Sequence, residues 1–214
     1  MTTLILVRHG EVPGIEPPTF RGQTDLALTG RGHLQARASG DFIRTHWHLD
    51  AIYSSSLSRC IDTARALAGA SGPEIIPQPG LLDIDYGDWT TLAVADVQAR
   101  WPREAELWKS LPQQCLIPGG ESLQDVAARV TRSLALLLNA HPDGTVAVVT
   151  HDSVLRVMLC HVIGIPLSAY WSFEMSPCGV SVLEYYGKHF FIHALNQTGH
   201  LPDALPAGAR THRR

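Results

Sequence analysis

No apolar run in this 214-residue chain reaches the ~20 residues that a membrane-spanning helix needs. Clustered positive charge is equally scarce. The formal net charge is −3, and the one basic cluster, Arg210, Arg213 and Arg214, lies in a tail rich in Pro, Ala and Gly. A nucleic-acid-binding surface, which depends on grouped Lys and Arg, is therefore not expected. Cysteine is sparse: Cys60, Cys115, Cys160 and Cys178 are scattered with no C-x-x-C pair. Cys60 and Cys160 fall inside apolar helical patterns and read as core thiols. No signal-peptide pattern precedes the first expected strand, so a reducing, cytoplasmic compartment is the expectation. Internal repeats and low-complexity segments are also missing.

What is present is apolar patterning. Hydrophobic residues make up 45% and charged residues 17%, enough for a substantial core. The length fits one domain over residues 1–201, with 202–214 expected to be a poorly ordered tail. Thr2–Val7 predicts a buried strand. Thr29 then caps a helix over Gly30–Trp47, with Leu34, Ala38, Phe42 and Ile43 on its apolar face. Strands are expected at Asp50–Tyr53 and Glu74–Ile76, separated by a helix carrying Leu57, Cys60, Ile61, Ala64, Leu67 and Ala68. One or two helices between Thr91 and Trp108 would cover the site. Ser122 to Asp125 forms a capping box for a long amphipathic helix. Thr145–Thr150 predicts a strand, Ser153–Ile163 a helix stopped by Gly164, and Gly179–Tyr186 with His189–Leu195 a hairpin about Gly187-Lys188. Alternating strands and helices predict a three-layer α/β/α sandwich, its central sheet mainly parallel with an antiparallel element near the C-terminus.

Two segments carry the chemistry: Leu6-Val7-Arg8-His9-Gly10 and Val149-Thr150-His151-Asp152. Each places a histidine where a β-branched run gives way to a loop or helix. Ligands bind at the carboxyl ends of strands in open α/β sheets, so both histidines can meet in one crevice. Arg8 beside His9 points to an anion, because guanidinium matches phosphate oxygens. The combination points to phosphoryl transfer through a histidine.

Further segments extend the pattern: Gly22-Gln23-Thr24-Asp25 running to Leu28-Thr29, and Tyr53-Ser54-Ser55-Ser56-Leu57-Ser58-Arg59 with Thr63-Ala64. Later come Tyr86-Gly87-Asp88-Trp89, Pro118-Gly119-Gly120-Glu121-Ser122 and a closing Leu195-Asn196-Gln197-Thr198. Together, from residue 4 to about residue 201, the chain resembles the histidine phosphatase superfamily, the group that contains the cofactor-dependent phosphoglycerate mutases. The resemblance implies His9 as the nucleophile, with Arg8, Arg59 and His151 completing a phosphate pocket. It implies a general acid at Asp83, where the family carries glutamate; Asp85 and Asp88 stay open as alternatives.

The residue types suit the task. A phosphate dianion needs oriented donors, and positioning with electrostatics does most of the catalytic work. His9 must be neutral to attack phosphorus, and neighbouring cations are expected to lower its pKa. One carboxyl group can protonate the leaving alkoxide and then activate water. Nothing in such a scheme needs a cofactor or a metal. Arg21 stands where relatives carry Gln or Thr, and reads either as a third cation for the substrate or as a plain loop arginine. Gln23 is a further substrate-binding candidate. Glu121 reads as a substrate contact or as a carboxylate at a helix N-terminus. Asp152 replaces a glycine usual in the family, to orient His151 or to narrow the pocket. Gly30-Arg31-Gly32 is no dinucleotide fingerprint, since no strand immediately precedes it. His189 and His193 would stand ~13 Å apart in a strand, too far for one metal ion, and His46 and His48 read as solvated or core residues.

Relatives that act as mutases carry a Trp-Asn after the signature segment, a central Arg-Arg pair and a long insertion before the Gly-Gly-Glu-Ser segment. All three are missing, which favours hydrolysis of a small phosphorylated metabolite. The region around Gly164–Tyr170 looks most like the small bacterial phosphatases, including α-ribazole phosphatase and broad-specificity relatives. A mutase, or a weakly active phosphate-ligand binding protein, is the alternative. The reading leaves room for a homodimer.

Overall fold

A computed structural model describes residues 1–13 and 18–202. The strands are β1 (Thr2–Arg8), β2 (Ala51–Ser54), β3 (Ile75–Pro77), β4 (Thr145–Thr150), β5 (Val180–Tyr186) and β6 (His189–Gln197). The helices are α1 (Gly30–His46), α2 (Ser58–Ala68), α3 (Val94–Arg100), α4 (Pro102–Ser110), α5 (Leu123–Ala140) and α6 (Asp152–Ile163). Hydrogen bonding joins the strands into one six-stranded sheet in the order β3-β2-β4-β1-β5-β6. Pairing is parallel from β3 to β1 and antiparallel from β1 through β5 to β6.

The runs Leu4–Val7 and Val146–Val149 are buried on both faces, as parallel strands covered by helices must be. On one face Ile5, Val7, Ala147 and Val149 pack with residues of α1 and α2. On the other, Leu4, Leu6, Val146 and Val148 pack with residues of α3, α4, α5 and α6. Each fully buried Val or Leu contributes roughly 1.5–3 kcal/mol. This is the expected three-layer arrangement.

Local signals place the helix ends. Thr29 Oγ1 accepts from Gly32 N–H at 2.9 Å, and Ser122 with Asp125 forms the reciprocal capping box of α5. Gly164, left-handed at φ 74°, stops α6. Element boundaries differ from the sequence reading by one or two residues, and α6 opens at Asp152 rather than Ser153. The helices expected over the site are α3 and α4, the latter placing Trp108 against Tyr86, Trp89 and Tyr170.

The apolar face expected for α1 is corrected in part: Ile43 is buried and Phe42 packs against the core, but Leu34 is not buried. Leu34 is 52% exposed, and the buried residues are Gly32, Gln35, Ala36, Ser39, Gly40 and Ile43. The reason is close approach: a Cβ on Gly40 would lie 2.1 Å from the Ala66 carbonyl oxygen of α2. Small residues let the two helices touch backbone to backbone, and Arg44 then donates to the Ala66 and Leu67 carbonyls at the end of α2. The expected tail lies outside the described residues except for Pro202.

For function, the decisive relationship is that β1 and β4 are neighbours, with Arg8 opposite Thr150. His9 N–H donates to Thr150 O at 3.0 Å, and Ser55 N–H donates to Val149 O at 3.0 Å. His9, Ser55 and His151 thus follow the carboxyl ends of three neighbouring interior strands.

Candidate active site

His9 and His151 stand edge to face with ring centroids 5.1 Å apart, both buried. His9 Nδ1 lies 2.7 Å from its neighbour's carbonyl, Gly10 O. A carbonyl only accepts, so Nδ1 carries the proton and Nε2 keeps its lone pair. Burial holds the His9 pKa well below the ordinary 6.5, with His151, Arg8 and Arg59 adding to the depression and the Gly10 bond opposing it. Burial thus outranks the cation effect expected from sequence. Neutral imidazole with a free Nε2 can act as a nucleophile.

His151 is depressed likewise, by burial first and then by Arg59, Arg8 and Arg129. Its Nε2 lies 2.8 Å from Ser55 Oγ, while Arg59 Nε donates to Nδ1 at 3.3 Å. Arg59, 1% exposed, is anchored by Nη1 to Thr24 O and Nη2 to Gly22 O, each at 2.7 Å. Gly22 is required there: its φ is +49°, and a Cβ would sit 2.9 Å from Ile84 O. Arg8 donates through Nη1 to Met175 O, and its buried Nε has no partner among the described residues. Leaving such a donor unmet costs about 1–3 kcal/mol, which an anionic oxygen would offset.

Of the three candidate aspartates, Asp83 is brought to the histidines. Its Oδ2 lies 3.4 Å from Arg59 Nη2 and 3.6 Å from His151 Nδ1. Its Oδ1 accepts from Ser153 Oγ and, at 2.9 Å, from Ile84 N–H. Burial raises the Asp83 pKa against the opposing pull of Arg59, the Ser153 and Ile84 hydrogen bonds and Arg8. A carboxyl group so placed can hold a proton and release it. Asp85 instead accepts from Gly87 N–H at 2.9 Å, and Asp88 is exposed beside Gly119.

Arg21 is half-buried beside this cluster, where its charge meets those of Arg8, Asp83 and Arg59, and its Nη1 donates to Pro13 O at 3.2 Å. The strand-like contact that carries it is pinned by Phe20 N–H to Leu92 O at 3.0 Å and Thr91 N–H to Phe20 O at 2.7 Å. Thr91 adopts φ +69°, a conformation that costs a β-branched residue about 1–3 kcal/mol. Gln23 Nε2 donates to Asp83 O at 3.1 Å. Glu121 meets Arg129 Nε at 2.8 Å and Asp85 N–H at 3.0 Å, while Arg129 also donates to the Leu82 and Asp83 carbonyls. Asp152 pairs with Arg156 at 2.9 Å and lies 3.9 Å from Arg8; its contacts run to arginines, not to His151.

Two residues that the sequence reading did not single out belong to this cluster. Ser55 lay within the Ser54-Ser55-Ser56 run, a faint signal. Ser153 carried none beyond its place two residues after His151. Among the described residues no group of three or more His, Cys, Asp or Glu side chains could hold a metal ion. His193 pairs with Glu184 at 2.8 Å, and His46 Nδ1 meets Phe42 O at 2.7 Å. No described helix is long and apolar enough to cross a membrane.

Known proteins resemble this chain in sequence and in fold. The family model of the histidine phosphatase superfamily (branch 1) matches residues 4–198. Phosphoserine phosphatase 1 of Hydrogenobacter thermophilus is 35% identical over 94% of this chain and 95% of its own length. A 2,3-bisphosphoglycerate-dependent phosphoglycerate mutase of Brucella ovis is 34% identical over 73% of this chain and 79% of its own. The crystal structure of the α-ribazole phosphatase of Shigella flexneri superposes with a TM-score of 0.83 at 25% identity, covering 91% of this chain and 96% of that one.

Proposed function

Because the chain belongs to the histidine phosphatase superfamily (branch 1), we propose that it hydrolyses a small phosphate monoester through a phosphohistidine at His9. The observation that carries this reading is the fixed tautomer of His9, whose Nδ1–H is tied to Gly10 O so that Nε2 is the free nucleophile. In the first half-reaction Nε2 bonds to phosphorus as the ester P–O bond breaks, and Asp83 gives its proton to the departing alkoxide. In the second, water attacks the phosphohistidine, Asp83 takes the water proton, and the P–N electron pair returns to Nε2. Arg8, Arg59 and His151 hold the phosphoryl oxygens.

Arg21 and Gln23 face the remainder of the substrate, Arg21 as a cation for a second anionic group. Glu121, whose oxygens are taken by Arg129 and Asp85 N–H, contributes by holding the Asp83 loop. The missing Trp-Asn, Arg-Arg pair and insertion favour hydrolysis over mutase action. No step uses a metal. Four free, buried cysteines support a reducing compartment for the enzyme.

Rapid quench of a labelled substrate tests the reading. Acid-labile phosphate should accumulate on His9, inorganic phosphate should appear without bisphosphate priming, and full rate should persist in excess chelator. Label on serine or aspartate, or a rate that only magnesium restores, would overturn it.

A further inference from the structure

The Asp83 carboxyl is held asymmetrically. Oδ1 accepts two hydrogen bonds, from Ser153 Oγ–H and from Ile84 N–H at 2.9 Å, whereas Oδ2 faces Arg59 Nη2 at 3.4 Å and His151 Nδ1 at 3.6 Å. A carboxyl oxygen offers two lone-pair directions in its plane, and two donors fill them. Oδ1 therefore has no place for a proton, and the neutral acid carries it on Oδ2, the oxygen on the histidine side. Ser153 is 3% exposed and lies in the first turn of α6, two residues beyond His151. One turn of chain thus sets both the second histidine and the seat of the acid. Ile84 N–H is fixed by the backbone next to Asp83 itself, so the serine is the contact that ties the carboxyl to α6.

Resting on the reading of Asp83 as proton donor, we propose that Ser153 is a positioning residue for proton transfer, fixing the carboxyl so that Oδ2 alone gives the proton to the leaving oxygen and takes it back from water. The Ser153 proton stays on Oγ throughout. When the ester P–O bond breaks, its electron pair goes to the leaving oxygen, which takes the Oδ2 proton, and the new negative charge on Oδ2 faces Arg59. When water attacks the phosphohistidine, its proton returns to Oδ2 and the P–N pair returns to His9. Through both steps Oδ1 keeps its two donors, so the carboxyl need not rotate between acting as acid and acting as base. Misplacing a reacting group by ~1 Å can cost about 100-fold, which sets the scale of the effect.

The test compares Ser153→Ala, Ser153→Thr and Asp83→Asn on an alkyl phosphate and on p-nitrophenyl phosphate, whose leaving group needs no proton. Ser153→Ala should lower kcat/KM for the alkyl phosphate by about 10- to 100-fold while the p-nitrophenol burst changes by less than about threefold. Losing a donor to the carboxylate should also move the limb on which Asp83 gives up its proton to higher pH, since the serine bond pulls that pKa down. Ser153→Thr, which keeps the hydroxyl, should restore both rate and profile. If Ser153→Ala does not fold, Ser153→Cys, a weaker donor of similar size, carries the same comparison. Equal losses on both substrates with an unmoved pH profile would reduce Ser153 to a packing residue and sink the proposal, as would wild-type rates. Unchanged alkyl-phosphate turnover in Asp83→Asn would instead sink the acid assignment on which it rests.

Discussion

Ser55 Oγ lies 2.8 Å from His151 Nε2, on the side of the ring away from Asp83. Because Arg59 Nε–H donates to Nδ1, the ring proton is on Nε2 and points at the serine. A hydroxyl both donates and accepts, so Ser55 can serve either tautomer of this histidine. With the ring proton on Nδ1 instead, Ser55 Oγ–H would donate to Nε2.

Imidazole ¹⁵N spectra of the free enzyme should accordingly show neutral His151 as the Nε2–H tautomer. Ser55→Ala should lower kcat/KM by about tenfold, the scale of one buried hydrogen bond. An imidazolium signal for His151 at neutral pH would contradict the burial that holds its pKa down.

Asp83→Asn should abolish most alkyl-phosphate turnover, and Asp85→Asn should not, because the Asp85 carboxylate is spent on Gly87 N–H. Asp83→Glu is predicted to lose about tenfold rather than gain, since an added methylene displaces the carboxyl from Ser153 while Asp83 already stands 3.4 Å from Arg59. Steady-state rates of the three variants decide the matter; a faster Asp83→Glu enzyme would show that aspartate under-reaches.

Stability should depend on pH through the two buried histidines. Their folded pKa values lie well below the ordinary 6.5, so unfolded chains take up protons that the folded protein refuses. Their contribution is complete above about pH 6.5 and is lost as pH falls from there toward the folded values. Asp83 has the opposite sign: with its pKa raised, its contribution is full below the ordinary 3.8 and is lost as pH rises through the folded value. Melting curves should show Tm falling between about pH 7.5 and 5.5, with a smaller fall in His9→Ala. An equal fall in both proteins would mean that His9 titrates normally.

Gly40→Val is predicted to destabilise the protein by about 3 kcal/mol or more, because its side chain would meet the Ala66 carbonyl in a contact that only backbone movement relieves. Leu34→Ala, at an exposed position of the same helix, should change stability by less than about 0.5 kcal/mol. Chemical denaturation of the two variants would show the contrast; the reverse order would restore the apolar face that periodicity assigns to α1.

That contrast marks what a sequence can reveal. The strands, the long helices and the histidine–arginine constellation are legible because apolar periodicity and short motifs carry them. The buried face of α1 is legible only at Ile43, since the rest is glycine, alanine, serine and Gln35, which periodicity does not register as apolar. Among Asp83, Asp85 and Asp88, spacing alone could not choose. The distinction comes from which carboxylate is consumed by a turn and which is met by Arg59. Ser55 and Ser153 stayed hidden because a serine beside a strand end or in a first helical turn is ordinary until its partner, 96 or 70 residues away, is brought to it.

The sheet order has a consequence for how the enzyme comes into being. β4 lies between β2 and β1, yet it is made long after both. A nascent chain that has emerged through β3 and α4 already holds His9, Arg59 and Asp83, but the slot between its strands is still open. Only when Thr145–Thr150 inserts there does His151 arrive, with Ser153 behind it. Long-range pairing of this kind closes late and slowly. Chains truncated before Thr145 should therefore carry no phosphatase activity.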